Sequence, residues 1–416
     1  MWLYRLIVSL AALPLAVVFA ARALGGREDA GALRARLGVA PGPARRRPTV
    51  WLHAASNGEL ASVAPLVARL REARPDLGWL VTANSVTGRD LARGWGVPAH
   101  CAPLDLRWAA RRLLRRWDVR LHIVAESELW PNRLAACRAA GVPVAVAGAR
   151  MSARTARGWR RFPGLARRVL GNVTFLSAQD ARSLDRLRAL GLPEAAAGPV
   201  LDLKALYTPP EAGPDAALRR ACPRGETWLA ASTHEGEEAA VIAAHLAARK
   251  ARPGLRLILA PRHPARGDAV AELLAQAGLG FDRRSRGEAT GAEVLLADTM
   301  GEMHLWYALA GTVFVGGSLV EKGGHTPYEP AAFGCALLHG PHLENFAPAY
   351  GRLAEAAAAR QVSDAGTLAA ALTALADPEA QGALGQAAAR ALGRGKDAEA
   401  LVAALQHLLP PAAGES

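Results

Sequence analysis

The sequence lacks the patterns that mark several common kinds of site. Its four cysteines, Cys101, Cys137, Cys222 and Cys335, are far apart and form no CxxC pair. This spacing argues against a zinc site or a disulfide framework and fits a reducing compartment. The sequence contains no HExxH, no DxD and no GxGxxG, so we predict no metal, no NAD and no FAD, and no other cofactor. Aromatic residues make up 5% and no nucleic-acid-binding motif is present, so nucleic acid is not a predicted partner.

Positive charge, in contrast, is abundant. The net charge is +13 and the pI is near 10.5, which favours a polyanion or an anionic membrane surface as the partner. The chain has 416 residues, of which 51% are apolar. This length and composition are sufficient for two domains of ordinary size, each with its own core.

The N-terminus carries an uncharged apolar run from Leu6 to Ala21. Its 16 residues are fewer than the roughly 20 that usually span a bilayer, and the small residues after Phe19 also allow a cleaved signal peptide. Arginines at positions 34, 36, 45, 46 and 47 follow closely, and positive charge tends to stay cytoplasmic. We therefore predict a retained membrane anchor or interfacial helix over residues 1–24, and whether it spans the membrane stays open.

The rest of the chain alternates strands with helices, which indicates parallel sheets. The predicted strands cover residues 49–53, 78–83, 121–125, 142–147, 227–231, 255–260, 293–297, 312–315 and 336–338. A stretch rich in proline and glycine, residues 198–225, looks like a connector. We predict an α/β protein with two Rossmann-like domains, residues 25–205 and 206–416, facing each other across a cleft. Ligands of such sheets bind at the carboxyl ends of the strands.

Two acidic clusters follow predicted strands of the first half. Ser56 and Glu59 have the spacing of a helix capping box, but Glu59 is equally a candidate general base at a strand end. Glu126 and Glu128 directly follow the strand that ends at Ala125. Two carboxylates at this position can orient a sugar or stabilise developing positive charge. The alternative is an ordinary pair of acidic residues at a helix N-terminus.

A basic cluster follows later in the first half. Trp159 and Phe162 are interleaved with seven arginines. A solvated helix is the usual explanation for such a cluster, whereas docking onto anionic lipid headgroups fits a chain with a membrane segment. The seven arginines are Arg150, Arg154, Arg157, Arg160, Arg161, Arg167 and Arg168.

The second half ends in the most informative stretch, residues 311–346, where glycine pairs follow a buried strand. We predict that a helix opens at Thr326, which is its cap residue, and that Pro327 is its first helical position. Glu329 is then either the capping partner of Thr326 or a ligand of ribose hydroxyls. The free N–H groups of such a helix suit a nucleotide phosphate. Arg262, at an earlier strand end, is a second candidate phosphate ligand. His325, His342 and Asn345 rank below Arg262 and Glu329, because single histidines are more often structural.

These segments resemble, in order and over most of the chain, the Kdo transferase family, which are membrane-associated GT-B glycosyltransferases that act on lipid A precursors. The matching segments are HAASNGE (53–59), ESELWPN (126–132), ARMSAR (149–154), PRH (261–263), DTMGEM (298–303), VGGSL (315–319), GGHTPYEP (323–330) and GPHLENF (340–346).

The resemblance implies transfer of Kdo from CMP-Kdo to a lipid A precursor, with inversion, on the cytoplasmic side of the inner membrane. It implies that Glu59 is the general base and that Glu128, or less favourably Glu126, stabilises the transition state. Arg150, Arg154 and Arg157 are the predicted acceptor-binding residues. The predicted nucleotide-binding residues are Pro261, Arg262, Met300, Gly301, Glu302, Met303, Thr326, Pro327, Tyr328 and Glu329.

The sequence departs from the family pattern at two single positions and in one short segment. Asn57 replaces a valine, Thr326 replaces an asparagine, and residues 198–201 read Gly-Pro-Val-Leu in place of Gly-Asn-Leu-Lys. The last change removes a lysine that the family uses in the transition state, and Lys204 is a candidate replacement. Two alternatives therefore stay open: a divergent GT-B enzyme with another nucleotide sugar, and a catalytically inactive protein that binds anionic glycolipid.

Overall fold

The computed structural model describes residues 2–26, 28–43, 45–288, 291–393 and 395–411. The chain divides into two compact units, Met1–Leu206 with Arg394–Ser416, and Tyr207–Gly393. Each unit is built around a parallel sheet of seven strands. The predicted α/β class with two sheet-based domains is therefore confirmed.

The sheet of the first unit has the order β3-β2-β1-β4-β5-β6-β7, and every neighbouring pair is parallel. Both faces are covered by helices, so β1 and β2 are buried at all positions. The strands are β1 Thr49–Ala54, β2 Gly78–Ala83, β3 Ala99–Cys101, β4 Val119–Ala125, β5 Val144–Ala149, β6 Phe175–Ala178 and β7 Ala197–Val200.

Helices of the first unit begin at side-chain caps where the sequence supplies them. Ser56, Ser85, Ser152 and Asp180 each accept a backbone N–H of the first turn. The helices are α1 Trp2–Leu24, α2 Ala30–Arg36, α3 Asn57–Ala73, α4 Val86–Arg93, α5 Arg107–Arg116, α6 Pro131–Ala139, α7 Ala153–Arg160, α8 Pro163–Leu170 and α9 Ala181–Ala189.

The N-terminal helix is longer than the apolar run that predicted it. Within α1, the 21 residues Tyr4–Leu24 are long and apolar enough to cross a membrane, judged by length and composition. Pro14 lies inside the helix. The predicted N-terminal apolar helix is confirmed.

The second unit repeats the architecture, with the order β10-β11-β9-β8-β12-β13-β14 and parallel pairs throughout. Its strands are β8 Thr227–Thr233, β9 Arg256–Pro261, β10 Phe281–Arg283, β11 Val294–Leu296, β12 Thr312–Val315, β13 Ala336–His339 and β14 Ala359–Gln361. Its helices are α10 Ala216–Ala221, α11 Glu238–Arg249, α12 Gly267–Gln276, α13 Met303–Leu309, α14 Tyr328–Ala332, α15 Ala347–Glu355, α16 Ala365–Ala374 and α17 Pro378–Leu392.

The last helix, α18 (Gly395–His407), contacts α3 and β7 and so belongs to the first unit. Arg74 supports this return of the chain by donating a 2.7 Å hydrogen bond to the Pro410 carbonyl. The sequence had assigned all of residues 206–416 to the second domain. The contact between α18 and α3 joins residues that are far apart in the sequence, so no local sequence pattern predicts it.

The predicted connector over residues 198–225 is partly wrong. Its first residues belong to β7, and α10 lies within it. β7 is an edge strand that pairs only with β6, which is where a strand tolerates Pro199, because one side of the strand needs no ladder hydrogen bonds.

Candidate active site

The acidic clusters of the first unit meet at the carboxyl ends of three neighbouring strands. Glu59 lies in the first turn of α3, which follows β1. Asn84 follows β2, and Glu126 and Glu128 follow β4. In this sheet the strand order reverses between β1 and β4, which is the position where open parallel sheets bind their ligands.

Glu59 is held by the backbone that precedes its helix. Ser56 accepts the Glu59 N–H at 3.2 Å and is the helix cap, as predicted. The Glu59 carboxylate accepts the N–H of Ala55 at 2.7 Å. Burial raises the pKa of Glu59 to about 7, and the negative charges of Glu126 and Glu128 add to the increase. A carboxylate with this pKa is divided between its acid and base forms at neutral pH.

Glu128 lies in the opposite environment. Its Oε2 atom accepts hydrogen bonds from Trp130 Nε1 at 2.6 Å and from Asn84 Nδ2 at 3.2 Å, and lies 3.4 Å from His53 Nε2. Although burial raises the pKa of Glu128, these hydrogen bonds outweigh burial and lower it to about 2. Glu128 is therefore anionic throughout the neutral range.

His53 is the buried support of Glu128. Burial lowers the pKa of His53 to about 4, so the ring is neutral and one nitrogen must carry its proton. Nδ1 lies 3.0 Å from the Thr82 hydroxyl and 3.2 Å from the Thr82 carbonyl, and Nε2 lies 3.4 Å from Glu128 Oε2, so a proton on either nitrogen faces an acceptor. No role was predicted from the sequence for His53, Asn84 or Trp130, although His53 and Trp130 stand inside matching segments.

Glu126 adopts a left-handed backbone conformation, with φ of 52°, which costs a non-glycine residue roughly 1 kcal/mol or more. Burial raises its pKa, and the positive charges of Lys204 and Arg150 partly offset that increase. Lys204, the candidate replacement for the missing family lysine, therefore lies close enough to interact with this carboxylate. The structure brings Glu59, Glu126 and Glu128 into one electrostatically coupled group.

An apolar cavity of about 600 Å³ adjoins Glu128. Trp130, Trp159 and Phe162 form much of its wall, and Phe162 is 62% exposed. Arg154 also lines this cavity, whereas Arg150 and Arg157 lie exposed on the nearby surface. An apolar wall with an adjacent arginine suits an amphiphile that carries a phosphate.

In the second unit, a buried glutamate ties the glycine loop to the neighbouring strand. Glu237 is fully buried after β8 and accepts four backbone N–H groups. They belong to His234 (2.9 Å), Gly317 (2.7 Å), Ser318 (3.0 Å) and Leu319 (2.9 Å). The loop after β12 therefore directs three of these N–H groups, those of residues 317–319, at a carboxylate of the protein itself.

We expect Glu237→Gln to destabilise the second unit by at least about 2 kcal/mol, because the amide places an N–H donor against donors and removes a buried charge that four N–H groups bind. Chemical denaturation measures the loss. Glu235→Gln is the matched control, since Glu235 is exposed and pairs only at the surface with Arg266. Equal stability of the two variants would contradict the assigned role of Glu237.

The predicted helix start at Thr326 is wrong. α14 begins at Tyr328, and its cap position is Pro327, with no side-chain hydrogen bond. The reason is that the His325 N–H donates to the Gly316 carbonyl at 3.2 Å, which holds this segment against the end of β12. The Thr326 hydroxyl is buried and has no hydrogen-bond partner among the described residues.

His325, which ranked low in the sequence, forms a close pair with His234. His234 Nε2 and His325 Nε2 are 2.9 Å apart, and the rings stack with centroids 5.1 Å apart. Burial lowers the pKa of both rings, that of His325 to about 4. Both rings are therefore neutral at pH 7, and one Nε2–H donates to the other Nε2. No sequence pattern relates residues 91 positions apart.

The predicted nucleotide-binding residues lie at several strand ends of the second unit. Pro261 ends β9, and Arg262 donates its N–H to the Thr233 carbonyl at 2.9 Å while its side chain is exposed. Met300 is 69% exposed, and Gly301 has φ of 85°. Two other residues of this predicted set accept hydrogen bonds from arginines: Glu302 from Arg284 at 2.6 Å, and the Tyr328 hydroxyl from Arg352 at 2.7 Å. Met303 is the first residue of α13.

Glu329 lies within electrostatic range of two tyrosines. Burial raises the pKa of Tyr207 and of Tyr307, and the Glu329 charge adds to both increases.

Across the described ranges, no group of three or more His, Cys, Asp or Glu side chains is arranged to hold a metal ion.

Comparison with known proteins identifies the family. Residues 31–206 match the family model described as 3-Deoxy-D-manno-octulosonic-acid transferase (kdotransferase). The 3-deoxy-D-manno-octulosonic acid transferase of Haemophilus influenzae is 35% identical over 314 residues, 74% of each chain. That of Bordetella pertussis is 38% identical over 378 residues, 83% of this chain and 84% of its own length.

A solved structure supports the fold. A putative UDP-N-acetylglucosamine 2-epimerase from Listeria monocytogenes superposes with a TM-score of 0.59, covering 86% of this chain and 96% of its own, at 15% identity. At this identity the likeness concerns the fold alone, and it agrees with the predicted GT-B architecture. The sequence relatives and the family model place this chain in the 3-deoxy-D-manno-octulosonic acid transferase family, whose members are glycosyltransferases.

Proposed function

We propose that this protein transfers Kdo from CMP-Kdo to a lipid A precursor, with inversion, on the cytoplasmic side of the inner membrane. The observation that carries the proposal is the difference in pKa between two neighbouring carboxyl groups: the pKa of Glu59 is raised to about 7 and that of Glu128 is lowered to about 2. When their environments give two neighbouring carboxyl groups very different pKa values, one can transfer a proton near neutral pH while the other stays charged.

In the proposed reaction, Glu59 accepts the proton of a sugar hydroxyl on the acceptor. The hydroxyl oxygen attacks the anomeric carbon of Kdo from the face opposite CMP, the bond to the CMP phosphate breaks, and CMP leaves with the bonding electrons. Glu128 keeps its negative charge and stabilises the positive charge that develops on the sugar. Lys204 contributes positive charge beside Glu126 in the same group.

The acceptor is proposed from the cavity next to Glu128. Its aromatic wall fits acyl chains, and Arg154 at its edge fits a phosphate of the lipid headgroup. Arg150 and Arg157 extend the positive surface beyond the cavity. A net charge of +13 and the apolar helix α1 favour an anionic membrane as the place where this lipid is bound.

The donor is proposed to bind the second unit through the strand-end residues 261–262, 300–303 and 326–329. Arg262 is the exposed cation of this set and is suited to the phosphate of CMP. The side chain of Glu302 is engaged by Arg284, so the 300–303 segment would meet the nucleotide mainly through its backbone.

The test is to incubate the membrane-bound protein with CMP-Kdo and a tetra-acylated lipid A precursor, and to measure the mass of the lipid. We expect a gain corresponding to one or more Kdo residues. No gain with CMP-Kdo, together with a gain from another activated sugar, would assign a different donor. No transfer from any sugar donor, with retained glycolipid binding, would support the inactive binder.

We expect Arg262→Ala to raise the KM for the donor about 10-fold or more with a smaller change in kcat, because an arginine–phosphate pair contributes roughly 1.5–3 kcal/mol. Initial rates at varied CMP-Kdo measure this effect. Arg360→Ala, at an exposed residue of β14, is the control. An unchanged donor KM would remove Arg262 from the proposed nucleotide site.

A further inference from the structure

Helix α1 lies along the first unit instead of projecting from it. Near its start, the Tyr4 hydroxyl donates to Asp105 Oδ2 at 2.8 Å. Near its end, the Arg36 guanidinium lies 4.5 Å from the centre of the Phe19 ring, and Arg22 pairs with Glu28 at 3.9 Å. Contacts at residues 4 and 19 hold about 22 Å of helix against the unit, at 1.5 Å per residue.

The attachment at Tyr4 is well anchored. Asp105 is buried, and it also accepts the N–H groups of Asn132 at 3.0 Å and Arg133 at 2.7 Å in the first turn of α6. Carrying Tyr4 away would leave a buried carboxylate with one hydrogen bond fewer. It would also open the cavity beside Glu128, because Tyr4 forms part of the cavity wall.

The two faces of α1 have different surroundings. Half-buried side chains recur at helical spacing on the face toward the unit: Tyr4, Val8, Ala11, Ala12, Phe19 and Ala23. The opposite face is apolar and exposed, with Trp2 75%, Leu6 48%, Ile7 56%, Leu10 68% and Val17 63% accessible. Such an exposed apolar face is the surface that needs a lipid partner.

Groups suited to lipid headgroups adjoin the N-terminal end of α1. Asp105 stands two residues before α5, so α5 begins beside Tyr4. Trp108 of α5 is 48% exposed, and the Arg112 guanidinium lies 5.7 Å from its ring centre. Further arginines of α5 line an open cavity of about 820 Å³ with Arg46: Arg111, Arg115 and Arg116. Tryptophan and arginine are the residues that anchor proteins at the headgroup layer of anionic bilayers.

We propose that α1 lies in the plane of the membrane surface, one face on the first unit and the other in lipid, and does not cross the bilayer. A spanning helix would place Tyr4 about 30 Å from the domain, whereas the contacts of Tyr4 and Phe19 keep both ends beside it. An acceptor lipid then reaches the cavity at Glu128 along α1, without leaving the membrane surface. The inference rests on the membrane association in the proposed function, and adds the orientation.

Cysteine labelling tests the orientation. The four native cysteines are buried, so single exposed cysteines report cleanly in the full-length protein. Trp2→Cys reports the start of α1, and Asp185→Cys reports the exposed surface of α9. With a membrane-impermeant maleimide we expect both variants to react in inverted inner-membrane vesicles and neither in spheroplasts. Reaction of Trp2→Cys in spheroplasts, with Asp185→Cys protected there, would show a spanning helix and overturn the proposal.

If labelling at residue 2 is slow, measuring how deep α1 lies in the bilayer distinguishes an interfacial from a spanning helix. A bimane fluorophore on Leu10→Cys is compared in vesicles whose nitroxide lipids carry the spin label at a shallow or a deep acyl position. An interfacial helix predicts stronger quenching by the shallow label, whereas a spanning helix places residue 10 near the middle of the bilayer and predicts the reverse. Protein that fails to sediment with vesicles would contradict the membrane association itself; sedimentation with deep quenching would overturn only the orientation.

Discussion

Replacing Glu59 with glutamine should lower kcat about 1,000-fold, within the range of 10²–10⁴ that a general base contributes. Glutamine keeps an oxygen that can accept the Ala55 N–H, the hydrogen bond that holds the carboxylate at 2.7 Å. It cannot accept a proton from the attacking hydroxyl. The loss should therefore appear in kcat, while the KM for the donor changes little.

The pH dependence gives a second reading of the same residue. Because burial raises the pKa of Glu59 to about 7, kcat/KM of the unaltered enzyme should rise with pH through about 7 and level off above it. The Glu59→Gln variant should lose this limb.

The folding stability of the Glu59→Gln variant shows whether its lower kcat comes from the lost base or from unfolding. A raised pKa in the folded state means that the protonated form favours folding: the contribution is complete below the unfolded value, near 4.5, and is lost as the pH rises through about 7. The glutamine variant should thus be at least as stable as the unaltered protein at pH 8. Glu72→Gln, an exposed position of the same helix, is the control for kcat. Unchanged turnover in Glu59→Gln would rule out Glu59 as the base.

Much of the fold follows from the sequence because buried parallel strands leave strong signals. β2 and β12 have the predicted bounds, and the predicted β1, β4, β8 and β9 differ from the observed strands by one or two residues at one or both ends. The strands that were not predicted are β3, β6, β7, β10 and β14, each three or four residues long. A strand of this length carries too few alternations to show a period, and its pairing is decided by neighbours distant in the sequence.

The candidate site shows the same division between local and distant information. Motif position was enough to select Glu59 and Glu128, because both follow long apolar strands. The hydrogen bonds that lower the pKa of Glu128 come from His53, Asn84 and Trp130, which three different strand ends contribute. In the second unit the sequence predicted free N–H groups at the helix near Thr326, but no pattern showed that Glu237, from another strand end, binds three N–H groups of the preceding glycine loop. Such pairings need the folded chain.

Replacing Glu128 with glutamine should lower kcat about 100-fold, equal to a loss of about 2.7 kcal/mol of transition-state stabilisation. The amide keeps an oxygen for the Trp130 and Asn84 donors but removes the negative charge. Initial rates at saturating donor and acceptor measure the loss. The variant should retain donor affinity, because the proposed nucleotide ligands belong to the second unit.

The same substitution should move the pH profile of the remaining activity. The negative charge of Glu128 helps to raise the pKa of Glu59, so its removal should shift the ascending limb of kcat/KM to lower pH. Glu126→Gln is the matched variant, because Glu126 raises the pKa of Glu59 as well. If Glu128 is the carboxylate that stabilises the transition state, both variants shift the limb, but only Glu128→Gln loses two orders of magnitude in rate. A larger loss in Glu126→Gln would exchange their roles, and a loss in Glu128→Gln without a shift would indicate a structural effect, because only the removed charge acts on Glu59 through space.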